Sequence, residues 1–397
     1  MIPWLMATAV AAPLVLKAAE VRPVSGPPIA NGVVVVEDGR IVAVGRADAV
    51  TVPAGARVFE GAVLTPGFID TLTTAGLTGP LNHPPDQDHA ERNRPVSPGL
   101  RALDGYNGTD AMLGWIRGFG VTTVHSGPSP GTPVGGRTLV AKTTSGPVDE
   151  VAMVPDAMLL LSLGDGPKWR FGDDGTASRM GSAATVRQAL ATAADYAARQ
   201  RLPPADRPPV DLGLAALAEV LDGGKPVVVH AHRADDLLTA LRIGDEFGLD
   251  LILAGAAEGW LVADRLAAAG VPVLVGPVMA RSWRDGEQRN SAFDNAAILA
   301  DAGVPVAFLS GHEGYVPKVR VVLWEAAIAG ANGLGAERTL EALTLGAARI
   351  LRIDDSVGSL EVGKQADLVL FDGDPFEYTT HACTVVIGGD VVSETCH

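Results

Sequence analysis

Short apolar runs alternate with longer helical segments between residues 64 and 355. The apolar runs are rich in Val, Leu and Ile, which is typical of buried strands, and several of the segments between them place Ala and Leu at helical spacing. This alternation predicts a parallel sheet whose strands are each followed by a helix. We therefore predict an α/β fold, a (β/α)8 TIM-type barrel over residues 64–355. Its eight predicted strands are AVLTPGFID, VTTVHSG, RTLVAKT, AMLLLSLGD, PVVVHAH, DLILAG, VPVLVGP and VPVAFLSG.

The two ends of the chain have a different pattern, in which short alternating strands are separated by Gly, Pro and Asp. VVVVEDGRIVAVG predicts a hairpin with a tight turn at Asp38-Gly39, because this dipeptide accepts the left-handed conformation that such turns need. The C-terminal stretches GSLEVGKQADLVLFDGDPFE and CTVVIGGDVV repeat the pattern. We therefore predict a small β-sandwich domain, formed by residues 13–63 and 356–397 together, beside the barrel.

Both cysteines lie near the C-terminus, on either side of the stretch TVVIGGDVVSET. This stretch predicts a hairpin around the turn Gly388-Gly389-Asp390. Such a hairpin places Cys383 and Cys396 near each other at its open end. They can pair in an oxidising compartment, and they stay as thiols in the cytosol.

The charge of the chain bears on its partners, and its N-terminus bears on its location in the cell. A formal net charge of -15 without clusters of Lys and Arg argues against a nucleic-acid-binding surface. No apolar run is long enough to predict a membrane span. Residues 1–12 are apolar and contain the small-residue pattern Ala9-Val10-Ala11, so we predict a partial signal peptide or a disordered leader. A periplasmic or secreted location and a cytoplasmic one both remain open.

Candidate chemistry lies where the predicted strands end, because active sites of such barrels form at the C-terminal ends of the strands. His230 and His232 end PVVVHAH two residues apart, so both point to one side of the strand, and the alternation with Val228 predicts the barrel interior. Two imidazoles on one buried face need a ligand or a bonding partner, which favours a functional role. Single polar groups also end other strands, where hydrogen-bonded packing explains each of them equally well: His125, His312, Asp70 and Asp165.

Five segments carry a family resemblance when they are taken in order: GVVVVEDGRIVAVG, LTPGFID, GVTTV, VVVHAHRADD and GSLEVGKQADLVLFDGDPFE. Together they resemble the amidohydrolase superfamily, and most closely its imidazolonepropionase-like branch. The resemblance covers nearly the whole chain after residue 13. It implies a (β/α)8 barrel with a β-sandwich built from both termini. It also implies hydrolysis of amide or cyclic amide bonds with one or two divalent metals.

Most of the metal ligands that the resemblance implies are missing. Family members typically carry a His-x-His pair after the first-strand aspartate, a lysine or glutamate on a middle strand, a histidine on strands five and six, and an aspartate ending strand eight. Here the first pair falls on Leu72 and Thr74. The sixth-strand position falls on Ala254 and the last on Gly311, while His230 remains at strand five. Too few ligands are left for a binuclear site.

A reduced site for one divalent transition metal such as zinc is still compatible with the sequence. Its predicted ligands are His230, His232 and Asp165, with Lys142 and His125 as alternatives. A bound Zn²⁺ lowers the pKa of its water to about 7 and polarises the carbonyl under attack, so three ligands and an open position are sufficient. If the site has lost its chemistry, no cofactor is expected.

Further side chains receive acid/base and binding roles. The predicted catalytic residues are His230, His312 and Glu313. The predicted substrate-binding residues are Arg233, Arg137, Tyr315 and Lys318. The long polar loop LNHPPDQDHAERNRPVSPGLRALDGYN, which follows the first strand, is either a binding loop or a solvated connection. Its own candidate ligands are His83, Asp86, Asp88 and His89.

The predicted function is hydrolysis of a C–N bond in a small amide, cyclic amide or N-acyl substrate, by an amidohydrolase-type enzyme with a reduced or relocated metal site. The alternatives are a catalytically silent homologue that binds a small ligand and a metal-free enzyme of altered chemistry. A small amide-type molecule is the expected partner, with no nucleic acid and no membrane span. The sequence leaves open whether the chain is a monomer or a homo-oligomer.

Overall fold

The computed structural model describes residues 12–81, 83–279, 286–312 and 321–396. The predicted leader therefore lies outside the described residues, apart from Ala12. The strands are β1 (Leu14–Val21), β2 (Ile29–Glu37), β3 (Arg40–Arg46), β4 (Arg57–Pro66), β5 (Phe68–Thr73), β6 (Val121–Ser126), β7 (Val134–Arg137), β8 (Leu139–Lys142), β9 (Ala152–Val154), β10 (Leu159–Ser162), β11 (Val227–Ala231), β12 (Leu251–Gly255), β13 (Val273–Val275), β14 (Val306–Phe308), β15 (Leu368–Phe371), β16 (Ala382–Ile387) and β17 (Asp390–Ser393).

The helices fall mainly between the strands of the middle region. No helix among the described residues is both long enough and apolar enough to cross a membrane. The α-helices are α1 (Ala102–Gly105), α2 (Ala111–Arg117), α3 (Val148–Val151), α4 (Asp165–Arg170), α5 (Arg179–Gln200), α6 (Leu212–Leu221), α7 (Ala234–Phe247), α8 (Ala263–Ala269), α9 (Asn295–Asp301), α10 (Val322–Ala329), α11 (Ala336–Leu343) and α12 (Leu345–Leu351).

Strands from both chain ends form a sheet of seven strands, in the order β17-β16-β15-β4-β1-β2-β3. β4 lies in the middle, parallel to β1 and antiparallel to β15. The predicted turn joins β2 to β3, with Asp38 and Gly39 at φ values of 49° and 76°. The strands from both chain ends are hydrogen-bonded into one continuous sheet among the described residues, because β4 pairs on both of its edges, and their packing as a sandwich stays a prediction.

The C-terminal hairpin pairs β16 with β17 across Gly388 and Gly389. Both glycines have positive φ, which a residue with a side chain adopts only with strain. A disulfide joins Cys383 in β16 to Cys396 just after β17. The structure therefore brings the two cysteines together as the hairpin pattern predicted.

The middle region contains two further sheets and has a fold of the TIM-barrel type. One has six strands in the order β14-β13-β12-β11-β10-β7, and the other has four in the order β5-β6-β8-β9. The strands from β10 to β14 are parallel to one another, and β5 is parallel to β6. Their carboxyl ends therefore lie at the same edge of each sheet, where we expected the site.

The direction predicted for RTLVAKT is wrong. This segment contributes to β7 and β8, and β7 is antiparallel to β10 while β8 is antiparallel to β6. The connection from β6 to β7, residues 127–133, contains no helix. β8, which pairs with β6, follows it after residues 127–138, and these contain β7 but no helix of the kind that a parallel crossover needs.

An apolar cluster lies on the face of these strands that packs against α12, and we call it the inner cluster. Val228 of β11 belongs to it, whereas Val227 and Val229 belong to a different cluster, which includes residues of the surrounding helices. This alternation is the strand periodicity on which the sequence prediction relied. Members of the inner cluster on the strands and their ends include Ile69, Leu72, Val140, Leu160, Val228, Ile252, Ala254, Leu274, Ala307 and Leu309.

A seam of hydrogen bonds joins β5 to the end of β14 and so links the two sheets of the middle region. The backbone N–H of Gly311 donates to the carbonyl of Leu72 at 2.9 Å. The N–H of Ser310 donates to Oδ1 of Asp70 at 2.9 Å, and the Thr71 hydroxyl donates to the Phe308 carbonyl at 2.7 Å. Asp70 is 1% exposed, and burial raises the pKa of its carboxyl group to about 7.

A buried ion pair joins the four-stranded sheet to the seven-stranded one. Nζ of Lys142, at the end of β8, donates to Asp367, which directly precedes β15. The two side chains are only 11% and 3% exposed. Asp367 also accepts the backbone N–H of Gly388 at 2.9 Å. Lys142, an alternative metal ligand in the sequence prediction, is therefore committed to the contact between sheets.

Replacing Asp70 with Asn is expected to change how stability depends on pH. The pKa of Asp70 is about 7 in the folded chain and near 3.8 when unfolded, so its stabilising contribution is complete below pH 3.8 and is lost as the pH rises through 7. Asn keeps an oxygen that accepts the N–H bonds from Ser310, at 2.9 Å, and from Leu72, at 3.4 Å, and it does not ionise. The free energy of unfolding of Asp70→Asn, relative to wild type, should rise by about 2 kcal/mol between pH 5 and pH 8 in urea titrations. Asp48→Asn, at an exposed carboxyl, is the control; equal pH profiles for wild type and Asp70→Asn would contradict the expectation.

Replacing Lys142 with Met is expected to destabilise the fold by about 3 kcal/mol, since it leaves the Asp367 carboxylate buried without its cation. The matched control is Lys17→Met, which breaks an exposed pair with Glu60 and should cost less than about 1 kcal/mol. Denaturant unfolding measures both. Similar losses for the two variants would show that the buried pair does not stabilise the contact between the sheets.

Candidate functional site

Two histidines face each other at the carboxyl end of β11, and we call them the β11 imidazole pair. His230 alternates with Val228 of the inner cluster, so it lies on the inner face of the strand, and His232 follows the strand end. Their rings are nearly perpendicular, with centroids 4.7 Å apart. The structure therefore brings together the two residues that the period-two spacing placed on one side.

His232 contacts two neighbours, and one of its ring nitrogens has no hydrogen-bond partner among the described residues. The side-chain nitrogen of Gln288 lies 3.4 Å from Nε2. When this amide donates to Nε2, the ring proton is on Nδ1, which is buried without a partner among the described residues. A Cβ on Gly255 would come within 2.9 Å of the ring, so the imidazole packs directly on glycine backbone. His232 thus presents a fixed ring with a free Nδ1.

Burial keeps both rings of the pair neutral at physiological pH. It lowers the pKa of His232 to about 4. It lowers the pKa of His230 well below the usual value, and the neighbouring His232 lowers it further. A neutral imidazole accepts a proton on one nitrogen and donates a hydrogen bond from the other, which are the two properties that acid/base catalysis requires.

A second pair of imidazoles forms where β14 ends. The ring of His312 lies against His89, which comes from the long loop after β5, with centroids 4.1 Å apart. Nδ1 of His312 is 3.2 Å from the hydroxyl of Thr74, one of the positions where a family histidine is absent. Burial lowers the pKa of His312 to about 3 and that of His89 to about 4, and Arg170 lowers both further. Since β11 and β14 belong to one parallel array, both pairs lie at the same edge.

Asp165, a predicted metal ligand, is committed to ion pairs. It begins α4 and bonds to Lys168 at 2.8 Å and to Arg179 at 3.0 Å. Burial alone would raise its pKa, but these two cations lower it below the usual value. Arg179 also pairs with Asp236 at 2.9 Å and Glu287 at 3.2 Å, so three carboxylates surround one guanidinium. Burial raises the pKa of Glu287 to about 7.

Other predicted site residues have partners of their own. Nδ1 of His125 lies 2.7 Å from the Thr71 carbonyl and its Nε2 lies 2.6 Å from the Thr138 hydroxyl, so this ring has no free nitrogen for a metal. The predicted substrate-binding arginines each pair with a nearby acid, Arg137 with Asp156 at 2.6 Å and Arg233 with Asp235 at 2.9 Å. The remaining predicted residues lie outside the described residues: Glu313, Tyr315 and Lys318.

Two of the predicted metal ligands, His230 and His232, lie together, but the third, Asp165, does not complete a group of three with them. A catalytic zinc usually has three protein ligands and one open position. His230, His232 and Asp165 do not form a group whose ligand atoms all lie within 4.8 Å of one another. Within the described ranges the only such group of three consists of Asp372 and the two disulfide-bonded cysteines.

Apolar residues also fill two of the positions where the family resemblance implies ligands. Leu72 is 3% exposed and Ala254 is fully buried, and both belong to the inner cluster. Neither side chain carries an atom that binds a metal. The described side chains therefore supply two close imidazoles at β11 but do not fit the divalent metal that the resemblance implies.

Sequence reasoning missed the residues that surround the imidazoles. Arg170 ends α4, and Glu287 and Gln288 lie in a connection after β13, so none of them ends a strand or follows a motif. His89 was noticed only as one member of a polar loop. A groove of about 1000 Å³ lies elsewhere, between residues 91–100, α5 and α6, and includes none of the four histidines. The strand ends remain the candidate site.

Comparison with curated proteins gives two relatives that name related activities. The chain is 26% identical over 377 residues to the amidohydrolase tasK of Hapsidospora irregularis, covering 87% of this chain but only 38% of that protein. It is 36% identical over 105 residues to the imidazolonepropionase of Geobacillus kaustophilus, covering 25% of each. The second match supports the branch that the sequence motifs indicated.

Solved structures and family models give a broader match. The crystal structure of an amidohydrolase from Thermotoga maritima MSB8 is similar over 96% of this chain and 100% of that one, with 31% identity and a TM-score of 0.89. The model of the amidohydrolase family matches residues 63–392, which include both sheets of the middle region, part of the seven-stranded sheet and both imidazole pairs. On this extent of agreement in sequence and structure, the chain belongs to the amidohydrolase family.

Proposed function

We propose that this chain hydrolyses the C–N bond of a small amide, cyclic amide or N-acyl compound at the carboxyl ends of β11 and β14. The observation that carries the proposal is the β11 imidazole pair, in which a neutral His230 lies beside a His232 whose buried Nδ1 has no partner in the described part of the chain. A buried polar atom without a partner is unfavourable unless a ligand completes it. An amide carbonyl is such a ligand.

The pair supplies the groups that amide hydrolysis requires. A water molecule attacks the carbonyl carbon and transfers its proton to His230. The Nδ1–H of His232 donates to the carbonyl oxygen, where negative charge develops. The C–N bond then breaks, and the leaving nitrogen takes the proton from the His230 imidazolium. The products are the carboxylic acid and the amine, or the ring-opened amino acid when the substrate is cyclic.

Members of the family typically bind a divalent metal, which activates water and polarises the carbonyl. Because the described side chains do not fit that metal, the proposed steps use imidazoles alone. General acid/base catalysis accounts for roughly 10²–10⁴ in rate, much less than a metal site gives. The proposed substrates are therefore reactive amides, such as strained rings, rather than ordinary peptides.

The domain boundaries enter the proposal as well. Residues 64–355 would carry the chemistry, and residues 13–63 and 356–397 would form the supporting β domain. The buried pair of Lys142 and Asp367 supports this division of labour, since it fixes the supporting sheet to the strands next to the site. Glu313, Tyr315 and Lys318 keep their proposed acid/base and substrate-binding roles.

A second candidate is a catalytically silent protein that binds an amide-type ligand. The observation in its favour is the apolar character of Leu72 and Ala254, which extend the inner cluster to positions where the family has metal ligands. Such a protein would use the free Nδ1 of His232 for recognition only. Binding without turnover distinguishes it from the hydrolase.

Substituting His230 with Ala should lower kcat/KM by about 100-fold or more on the best substrate from a panel of lactams, hydantoin-type rings and N-acyl amines, because the general base is removed. His381→Ala is the matched control, since His381 is an exposed histidine directly before β16, paired with Asp372. Wild-type activity should survive exhaustive chelation. A panel without any turnover would favour the silent binder.

Elemental analysis of protein purified without chelator or a His-tag should find no stoichiometric transition metal, since two imidazoles alone are one ligand short of a catalytic site. His230→Ala protein is the comparison sample. About one tightly bound metal per chain, lost in that variant, would contradict the expectation and restore a mononuclear metal enzyme as the mechanism.

A further inference from the structure

A second polar site lies beside the His89–His312 pair, and it contains two arginines that form no ion pair with any described carboxylate. Arg170, at the end of α4, forms no ion pair with any described residue, and its Nη1 is buried without a hydrogen-bond partner. Arg92 is exposed in the loop after β5 and close enough to lower the pKa of Arg170. We call His89, His312, Arg92 and Arg170 the cationic cluster.

The cationic cluster is unusual for this chain. The formal net charge is -15, and the other buried or half-buried cations described above, Lys142, Arg137 and Arg179, all pair with carboxylates. A half-buried guanidinium without a counter-charge loses the hydration of its charge and gains nothing in return. A ligand that carries negative charge would supply the missing counter-charge.

The two histidines of the cationic cluster provide hydrogen-bond donors in addition to the two guanidinium groups. His89 is only 5% exposed, and its Nδ1 has no partner among the described residues. Its ring is fixed against His312, which is in turn held by Thr74. Because burial keeps both rings neutral, they donate N–H groups without adding charge.

The backbone leaves room for the guanidinium. Gly131 has φ of 117°, and a Cβ placed there would lie 3.4 Å from Cζ of Arg170, so the guanidinium packs directly on this glycine. The nearby Ser129 donates its N–H to the carbonyl of His89 at 2.8 Å, and its own buried hydroxyl has no partner. Nδ1 of His89, Nη1 of Arg170 and Oγ of Ser129 are therefore three unsatisfied polar atoms in one neighbourhood.

We propose that the cationic cluster binds the carboxylate group of the ligand whose amide occupies the β11 imidazole pair. The planar fork of a guanidinium matches a carboxylate in two parallel hydrogen bonds, and Nδ1 of His89 and the Ser129 hydroxyl would bind the same anion. Both sites lie at the carboxyl edge of one parallel array. The ligand class is then an amide that carries a carboxylate, such as an N-acyl amino acid or a carboxylated cyclic amide.

The contacts of the cationic cluster support an anion site by themselves. Only the assignment of the ligand's amide group to the β11 imidazole pair rests on the proposed function. The two are separated by measuring binding without turnover. The probes are N-acetylglycine, its neutral analogue N-acetylglycinamide and inorganic phosphate, titrated into the full chain by isothermal calorimetry. Loss of the hydrolase proposal in activity assays would leave this binding result unchanged.

The wild-type chain is expected to bind N-acetylglycine at least about tenfold more tightly than N-acetylglycinamide, since charged hydrogen bonds favour the anion. Arg170→Gln should remove that preference, and Arg92→Gln, at an exposed position that should not disturb folding, should reduce it. Arg46→Gln removes one exposed positive charge from β3 and should leave the preference intact.

Three results would overturn the proposal. One is the absence of any preference for N-acetylglycine in the wild-type chain. Another is a preference that survives in both Arg170→Gln and Arg92→Gln. The third is phosphate binding tighter than N-acetylglycine, which would assign the cluster to a different anion. A far-ultraviolet circular dichroism spectrum checks that Arg170→Gln is folded, and Arg92→Gln decides the matter if it is not.

Discussion

The hydrogen-bonded seam between β5 and the end of β14 is the constraint on which the rest of the middle region depends. These segments come from opposite ends of that region, and the seam joins the two sheets through Asp70, Leu72 and Gly311. It also sets the position of His312 beside Thr74. β11 and β14 already belong to one sheet, and this contact holds the carboxyl end of β5, with the loop that carries His89, beside them.

The same edge shows how the chain differs from the family pattern. Leu72 and Ala254 occupy positions where the family has metal ligands. Both belong to the inner cluster, so apolar side chains extend to the carboxyl ends of β5 and β12. The polar groups lie instead on loops, at His89 and Gln288, and at the end of helix α4, at Arg170. The polar groups at this edge are imidazoles and a guanidinium group, which bind carbonyl and carboxylate oxygens.

Sequence reasoning succeeded where strand periodicity decides a side chain's direction. The alternation of Val228, His230 and His232 placed both rings on one face, and the turn glycines predicted the hairpin that brings the cysteines together. Periodicity carries no information on strand direction, which is why RTLVAKT was assigned the wrong one. The partners of Asp165 and Lys142 could not be predicted either, because Arg179 and Asp367 belong to other elements and only tertiary packing selects them.

The central place of β4 in the seven-stranded sheet has a consequence for synthesis of the chain. β4 can pair with β1 once residues 14–66 have left the ribosome, but its other edge pairs with β15, which is made after all the strands of the middle region. An apolar strand with one open edge is prone to pair with the wrong segment or with another nascent chain. β15 thus completes the pairing of β4 late in synthesis. In the interval between the synthesis of β4 and that of β15, a chaperone would protect the open edge of β4.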